Sequence, residues 1–272
     1  MKGRLHKTLV RNIRAYFRKK ILSNHGVGVV ARTKNGLLAV DACDFAVSRE
    51  LLCNGSYDWR IVEWLQSMLD HQSLVVFVGS HVGSLLIPIS KHVRRTVGYE
   101  ADPTNFQFLK MNLALNNVEN AVIHNRAIGE ERRRVRVARN RLNTGNSSVS
   151  VLEPPGDNAV EMTTLDAELG GERIDLMVMD IEGYELHAMK GADQTLAATK
   201  LFYVEYAPEQ LAEFGTSRMD FIDHLSGIFD HMYIYGSPVQ CFYDRQWVDY
   251  LRELPERRGL LKNLLFSNER LP

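Results

Sequence analysis

The sequence predicts an α/β fold built on a doubly wound, mostly parallel sheet with an N-terminal helix and hairpin extension. Three observations carry that expectation. Short, wholly apolar runs such as Leu74–Val78 and Leu176–Met179 read as strands buried on both faces. From Leu74 to Tyr235 these runs alternate with helical segments, the pattern of parallel strands joined by crossover helices. Chemistry-bearing residues, Gly79, Glu100 and Asp180, stand at or just past the predicted carboxyl ends of strands, where ligands bind in open α/β sheets.

Composition narrows the class. The chain has 272 residues, 45% of them hydrophobic and 24% charged, enough for a full core and ordinary for a globular protein. No apolar run approaches the roughly 20 residues of a membrane span. The charged N-terminus is not followed by an apolar core, so no secretory signal is expected. Cys43, Cys53 and Cys241 are odd in number and form no C-x-x-C pattern, which suggests reduced thiols in a cytoplasmic setting, with neither a disulfide framework nor a zinc site. Net charge is zero but uneven. Ten of the 33 Lys and Arg fall in residues 1–40, which hold no Asp or Glu, leaving 23 basic against 33 acidic side chains beyond them.

Residues 1–70 read as a basic helix, a hairpin and a helical cap, and 71–272 as the main domain. Leu5, Leu9, Ile13, Phe17 and Ile21 recur every four residues, so residues 4–22 read as an amphipathic helix with a basic face. That helix either packs on the domain or makes a peripheral contact with anionic membrane or a lipid-linked substrate. Nucleic acid is not expected, because no aromatic–basic interleaving or binding motif accompanies the charge. Val27–Arg32 and Leu37–Asp41 flank Asn35-Gly36, a hairpin signal. Phe45–Cys53 and Ile61–Leu69 read as helices, with Asp58 as N-cap of the second. Beyond the cap, strands are expected at Leu74–Val78, Thr96–Glu100, Ala121–His124, Leu176–Met179, Lys200–Glu205 and Met232–Tyr235. Helices are expected at Val82–His92 (bent or shortened by Pro88), Asn105–Asn116, Tyr184–Lys190 and Met219–Phe229. Arg132–Ala138 and Ser147–Leu152 read as extra strands around the polar loop Asn140–Asn146, and Leu260–Phe266 as a closing strand or helix.

Two motifs carry the chemistry. In Val76–Ser84, V-F-V-G-S-H-V-G-S, a strand runs into a glycine turn whose Gly79 and Gly83 let a ligand approach the backbone and whose N–H groups suit an anion. The pattern is neither the dinucleotide G-x-G-x-x-G nor a P-loop. Glu100 ends the next strand, where a carboxylate can grip both hydroxyls of a ribose, and the pair points to an adenosine-containing cofactor. In Ile174–Ala192, an apolar run ends in Asp180, Glu182 and Glu185 around Gly183. The acids are either the floor of a site or the start of a helix, whose dipole also favours them.

V-F-V-G-S-H-V-G, Y-E-A-D-P at 99–103, T-L-D at 164–166 and I-D-L-M-V-M-D-I-E-G-Y-E-L-H-A-M-K-G-A together resemble the FkbM family of S-adenosylmethionine-dependent methyltransferases. Asn116, Val204-Glu205 and Gly55-Ser56-Tyr57-Asp58 fit as well. The resemblance implies a Rossmann-like methyltransferase fold, S-adenosyl-L-methionine as cofactor, and O-methylation of a hydroxyl on a sugar, glycolipid or other small metabolite. On this reading Gly79, Ser80, His81 and Gly83 hold the methionine end of the cofactor, Glu100 the ribose, and the turn at Asn125–Ala127 the adenine. Asp180 and Glu182 face the acceptor, one of them as general base, with His81 as an alternative base. Phe77, Val178 and His81 stand where the family usually has an acid, a lysine and an asparagine. With Phe77 in place, Asp180 is the nearest carboxylate for the cofactor's ammonium, which leaves Glu182 for the acceptor. The same departures support an alternative, a non-catalytic or weakly cofactor-binding module on a methyltransferase fold. Glu205 either completes the acidic floor or merely ends a strand, and His187 reads as packing. Clustered carboxylates suit Mg²⁺, but no spacing demands a metal and none is assigned.

Overall fold

The computed structural model describes residues 26–138, 144, 148–150, 159–255 and 259–271. The basic helix expected over 4–22 and most of the polar loop Asn140–Asn146 lie outside the described residues.

Strands β1 (Gly28–Thr33) and β2 (Gly36–Asp41) form the expected antiparallel hairpin. Its turn residue Asn35 does more than turn the chain. Buried, it donates to the carbonyls of Tyr57 and Ser84 (2.7 and 2.8 Å) and accepts from Tyr57 N–H (2.9 Å), tying the hairpin to two later loops. Helix α1 (Val47–Asn54) ends at Gly55 in the left-handed region, as a C-terminal glycine permits. Asp58 precedes α2 (Trp59–Gln66) but does not cap it: its backbone is left-handed and its side chain makes no capping hydrogen bond.

The main sheet begins with β3 (Leu74–Val78), buried throughout. Helix α3 (Leu86–Ser90) is shorter than expected, because it starts late enough to place Pro88 in its first turn, where a missing N–H costs nothing. Then follow β4 (Arg95–Tyr99), α4 (Pro103–Leu115) and β5 (Ala121–His124). Asp102 caps α4 by accepting from Thr104 and Asn105 N–H, with Pro103 as the first helical residue. A small second sheet, order β6-β9-β7-β8, comes from β6 (Ala127–Ile128), β7 (Arg133–Ala138), β8 (Ser148–Ser150) and β9 (Ala159–Thr163). The chain returns through α5 (Leu165–Leu169), β10 (Ile174–Met179), α6 (Glu185–Lys190), α7 (Asp193–Ala197) and β11 (Thr199–Tyr206). It closes with α8 (Pro208–Glu213), α9 (Arg218–Ser226), β12 (His231–Ile234), β13 (Gln240–Phe242), α10 (Trp247–Glu253) and β14 (Lys262–Ser267).

The eight-stranded sheet has the order β13-β12-β14-β11-β10-β3-β4-β5, with β11, β10, β3, β4 and β5 mutually parallel and β14 antiparallel to β11. Residue alternation splits its core in two. Val76, Val78, Met177 and Met179 face α6 and the C-terminal helices, while Val75, Phe77, Leu176 and Val178 face the hairpin, α1 and α2. Order reverses about β3, so a crevice opens at the carboxyl ends of β3 and β10. Among the described residues, no helix is long and apolar enough to cross a membrane.

The hairpin is docked by two asparagines one turn apart, Asn112 on α4 and Asn116 at its C-cap. Asn116 exchanges hydrogen bonds with Leu37 N–H and C=O (3.0 and 2.8 Å), and Asn112 with Ala39 N–H and C=O (2.6 and 2.9 Å), while Asn112 also donates to the Val82 carbonyl (2.8 Å). Four residues of helix rise about 6 Å and two residues of strand rise about 6.6 Å, so the side-chain amides continue the strand ladder. Asn112 is fully buried. Its replacement by Ala strands the Ala39 amide and two carbonyls, and should lower unfolding free energy by about 2–4 kcal/mol in urea melts. A change within error would show that the hairpin is held by packing alone.

Candidate active site

The carboxyl ends of β11, β10, β3, β4 and β5 border a single cavity of about 460 Å³, a volume typical of small-molecule sites. Of the residues expected at the site, Gly79, Ser80, His81, Glu100, Asp180 and Glu182 line it. Gly83 and Asn125 stand behind the wall. Gly83 donates to the Ser80 carbonyl (2.9 Å), and a side chain there would meet Leu109 and Ile87. Asn125 braces the Glu100 and Ala101 carbonyls (2.8 and 3.1 Å), while its successors Arg126, Ala127 and Ile128 form the wall.

The glycine turn differs from the expected anion cradle. Gly79 and Ser80 N–H both donate to the Tyr99 carbonyl (3.0 Å each), and His81 N–H to Glu100 Oε2 (2.7 Å). These amides are spent inside the fold. Gly79 instead allows the close approach of two strand ends: it has φ +89°, and a side chain there would collide with the Asp180 carbonyl oxygen.

Glu100 is buried, with one oxygen on His81 N–H and the other on Asp102 N–H (2.8 Å). Burial raises its pKa to about 7 against these hydrogen bonds. A carboxylate accepts about four hydrogen bonds, so capacity remains for a diol. Ser80 Oγ and Asn105 Oδ1 are buried and have no hydrogen-bond partner among the described residues. His81 is held through Nε2 on Thr144 Oγ1 (2.9 Å), and Thr144 N–H is anchored on Asp44 (3.2 Å).

At the β10–β11 end, carboxyls crowd together. Asp180 N–H bonds the Val78 carbonyl (3.0 Å), and its carboxyl opens onto the cavity. Glu182 has the left-handed φ of +56° and accepts from Gln210 Nε2 (2.5 Å). Glu205 and Asp58 complete the group, so Glu205 is part of the floor, and the side chain expected to cap α2 instead faces the cavity. Burial, then neighbouring charge, raises all four: Asp58 acts on Asp180, Asp180 on Glu182, Asp180 and Glu182 on Glu205, and Glu50 on Asp58. Glu185 is buried behind them. Its Oε1 takes the N–H groups of Ile181 and Gly183 (3.0 and 3.2 Å), and burial raises it to about 7. The two readings of the acidic stretch therefore separate by residue: Glu185 starts α6 and braces the turn, whereas Asp180 and Glu182 line the site. His187 packs, stacked on Tyr184 with Nε2 against the Phe214 carbonyl (3.1 Å). Among the described residues, no group of three or more His, Cys, Asp or Glu is arranged to hold a metal ion.

Phe77 and Val178, two of the departures from the family pattern, are register partners across β3 and β10 and pack in the same cluster. An apolar pair thus stands where the resemblance leads one to expect an acid and a lysine. It leaves the cavity open.

A model of the methyltransferase FkbM domain matches residues 78–254. The chain belongs to the FkbM methyltransferase family. Within a 61-residue stretch it is 39% identical to the 2-O-methyltransferase NoeI of Sinorhizobium fredii (strain NBRC 101917 / NGR234), covering 21% of this chain and 25% of that protein. The structure of Methyltransferase FkbM from Methylobacillus flagellatus KT aligns at TM-score 0.47 and 16% identity, over 73% of this chain and 44% of the other. That of M. jannaschii TYW2 in complex with AdoMet aligns at TM-score 0.46 and 12% identity, over 89% and 85%. The family chain thus spans under half the length of the M. flagellatus protein. The parallel sheet closed by antiparallel β14, together with family membership, makes this the Rossmann-like methyltransferase fold.

The carboxyl crowding predicts a pH dependence. Groups with raised pKa hold protons in the folded state that the unfolded chain has released, so stability falls as pH rises. The loss begins near the ordinary carboxyl range of about 4.5 and runs through about 7 for Glu100 and Glu185, with Glu182 and Glu205 extending it upward. The ligand-free protein should melt at lower temperature at pH 8.5 than at pH 6, taken here as roughly the two sides of that window, and Glu205→Gln should flatten the slope. A midpoint that rises with pH over this interval would contradict the assignment.

Proposed function

We propose that this protein is an S-adenosyl-L-methionine-dependent O-methyltransferase acting on a hydroxyl of a sugar, glycolipid or other small metabolite. The observation that carries the reading is the division of one cavity at the sheet's switch point. Buried Glu100 with spare acceptor capacity lies at its β4 end, and the Asp180–Glu182 turn at its β10 end. Family membership supports the methyl transfer, and the short match to a 2-O-methyltransferase supports oxygen as the target atom.

When bound, the cofactor supplies an electrophilic methyl group on a sulfonium. The chain's own residues position and deprotonate. Glu100 holds the ribose hydroxyls, and Gly79, lacking a side chain, lets the β3 and β10 ends lie close enough to share the cofactor's cavity. Asp180 receives the ammonium that Phe77 cannot. Glu182 takes the acceptor's hydroxyl proton onto its carboxylate; its raised pKa brings the base closer to the hydroxyl it must deprotonate. His81, tied to Thr144, is the alternative base. Holding the acceptor oxygen in line with the methyl group is the larger contribution, since the reaction is a displacement.

The non-catalytic reading requires a closed or filled cleft, and the open cavity beside Phe77 and Val178 favours the enzyme. Calorimetry with S-adenosylmethionine and S-adenosylhomocysteine is the test. Both should bind, and Glu100→Ala should weaken binding at least about tenfold by removing charge-assisted hydrogen bonds. Absence of binding to the folded protein would sink the proposal, and unchanged affinity in the variant would remove Glu100 from the site. Peripheral membrane contact through residues 4–22 belongs to the same proposal. Co-sedimentation with anionic liposomes should be lost when those residues are deleted, and equal binding would reject it.

A further inference from the structure

We infer that the outer face of the small sheet docks on an anionic lipid bilayer, with Arg132, Arg134 and Arg136 as its contact residues. The inference goes beyond the methyl-transfer reading and is carried by different residues from the membrane contact proposed for 4–22.

Alternation along β7 makes the face. Val135 and Val137 are buried in one cluster with Ala127 and Tyr184. Arg133 shares their side of the strand and spends its guanidinium on Tyr184 Oη (2.9 Å) and Glu131 (3.0 Å). Arg134 and Arg136 point the other way and are exposed, as is Arg132 ahead of the strand. Among the described residues, none of these three guanidinium groups is in an ion pair. Ser150 and Ala159 flank Arg136 across the sheet, and Glu161 stands opposite Arg134, 3.7 Å from Arg126. The arginines thus follow one another about 7 Å apart along an unpartnered sheet face.

The wider sequence gives that face its partner. Residues 132–141 hold six arginines, and no Asp or Glu occurs from 132 to 152. With residues 1–40 also set aside, the other 222 residues carry 17 Lys and Arg against 33 Asp and Glu. A chain divided in this way is drawn to a negative surface by its basic stretches and repelled from it elsewhere, which sets orientation as well as contact. Lipid phosphodiesters match the guanidinium fork. Nucleic acid matches the face less well, because its described residues include no aromatic ring on which a base could stack. The buried side of the same sheet packs on Ala127, Ile181 and Tyr184, which also line the cavity. Docking through the arginines therefore brings that wall of the cavity toward the bilayer, where a glycolipid acceptor is presented.

Co-sedimentation of the full chain tests the inference, with vesicles of phosphatidylcholine alone and of an equimolar mixture with phosphatidylglycerol. The wild-type chain should bind only the mixed vesicles, and less as salt is raised. Replacing the three residues together (Arg132→Glu, Arg134→Glu, Arg136→Glu) should weaken binding about tenfold or more, with residues 1–22 still in place. The three side chains are exposed, so an unchanged melting temperature will show that lost binding is not unfolding. Equal binding by the variant, equal binding of wild type to phosphatidylcholine alone, or preference for single-stranded RNA over mixed vesicles in competition would overturn the inference. Each of those results leaves S-adenosylhomocysteine binding, and with it the methyl-transfer reading, to stand or fall separately.

Discussion

The site depends on one close approach, that of Gly79 to Asp180. The Asp180 N–H bonds the Val78 carbonyl, and its own carbonyl oxygen occupies the space a side chain on Gly79 would need. Two strand ends are thereby joined at the point where the sheet reverses its order, and the turns that follow them must share one cavity. Any residue with a Cβ at 79 would force the ends apart and separate the Glu100 wall from the acidic wall. The glycine is thus a spacing device between two halves of a site, more than the anion cradle its sequence context suggests.

That spacing has an energetic consequence. Asp58, Asp180, Glu182 and Glu205 are brought together at one end of the cavity, Glu182 and Glu205 partly buried, and none gains a cationic partner among the described residues. A fold selected for stability alone would not gather them. The strain is carried by neighbours with no chemistry of their own. Glu185 takes two amides of the turn, which helps hold Glu182 at its left-handed φ, and Gln210 fixes the Glu182 carboxyl while its backbone fills the space beside Gly183.

Local patterns were enough to read the scaffold. Leu74–Val78 and Ala121–His124 are strands to the residue, because continuous apolar runs and flanking turns are properties of adjacent positions. What sequence could not show are contacts between distant segments. Asp58 has every local mark of an N-cap, and only the left-handed backbone turns it into the cavity. Gln210 carries no signal of its own, and its role exists only because α8 packs on the Asp180–Gly183 turn. The small sheet was half visible: its strands β7 and β8 were expected from 132–138 and 147–152, but β9 is short and follows an uninformative stretch. Within the turn at Asn125–Ala127, Asn125 braces the Glu100 and Ala101 carbonyls while Arg126 and Ala127 line the cavity, a division that no local pattern sets.

The N-terminal segment is more than a covering for the sheet. The match to the family begins at residue 78, yet Tyr57 and Asp58 line the cavity, and Asn35 holds the Tyr57 backbone on one side and Ser84 on the other. Asn112 and Asn116 dock the hairpin on α4, whose N-cap Asp102 donates its own N–H to Glu100. A shift of the hairpin would therefore be felt at both ends of the cavity, through Asp58 at one and Glu100 at the other. The family-matched sheet supplies the strand ends that place Glu100, Asp180 and Glu182. The preceding residues supply the carboxyl that faces them, so the character of the cavity's β10–β11 end is set in part by sequence that the family match does not reach.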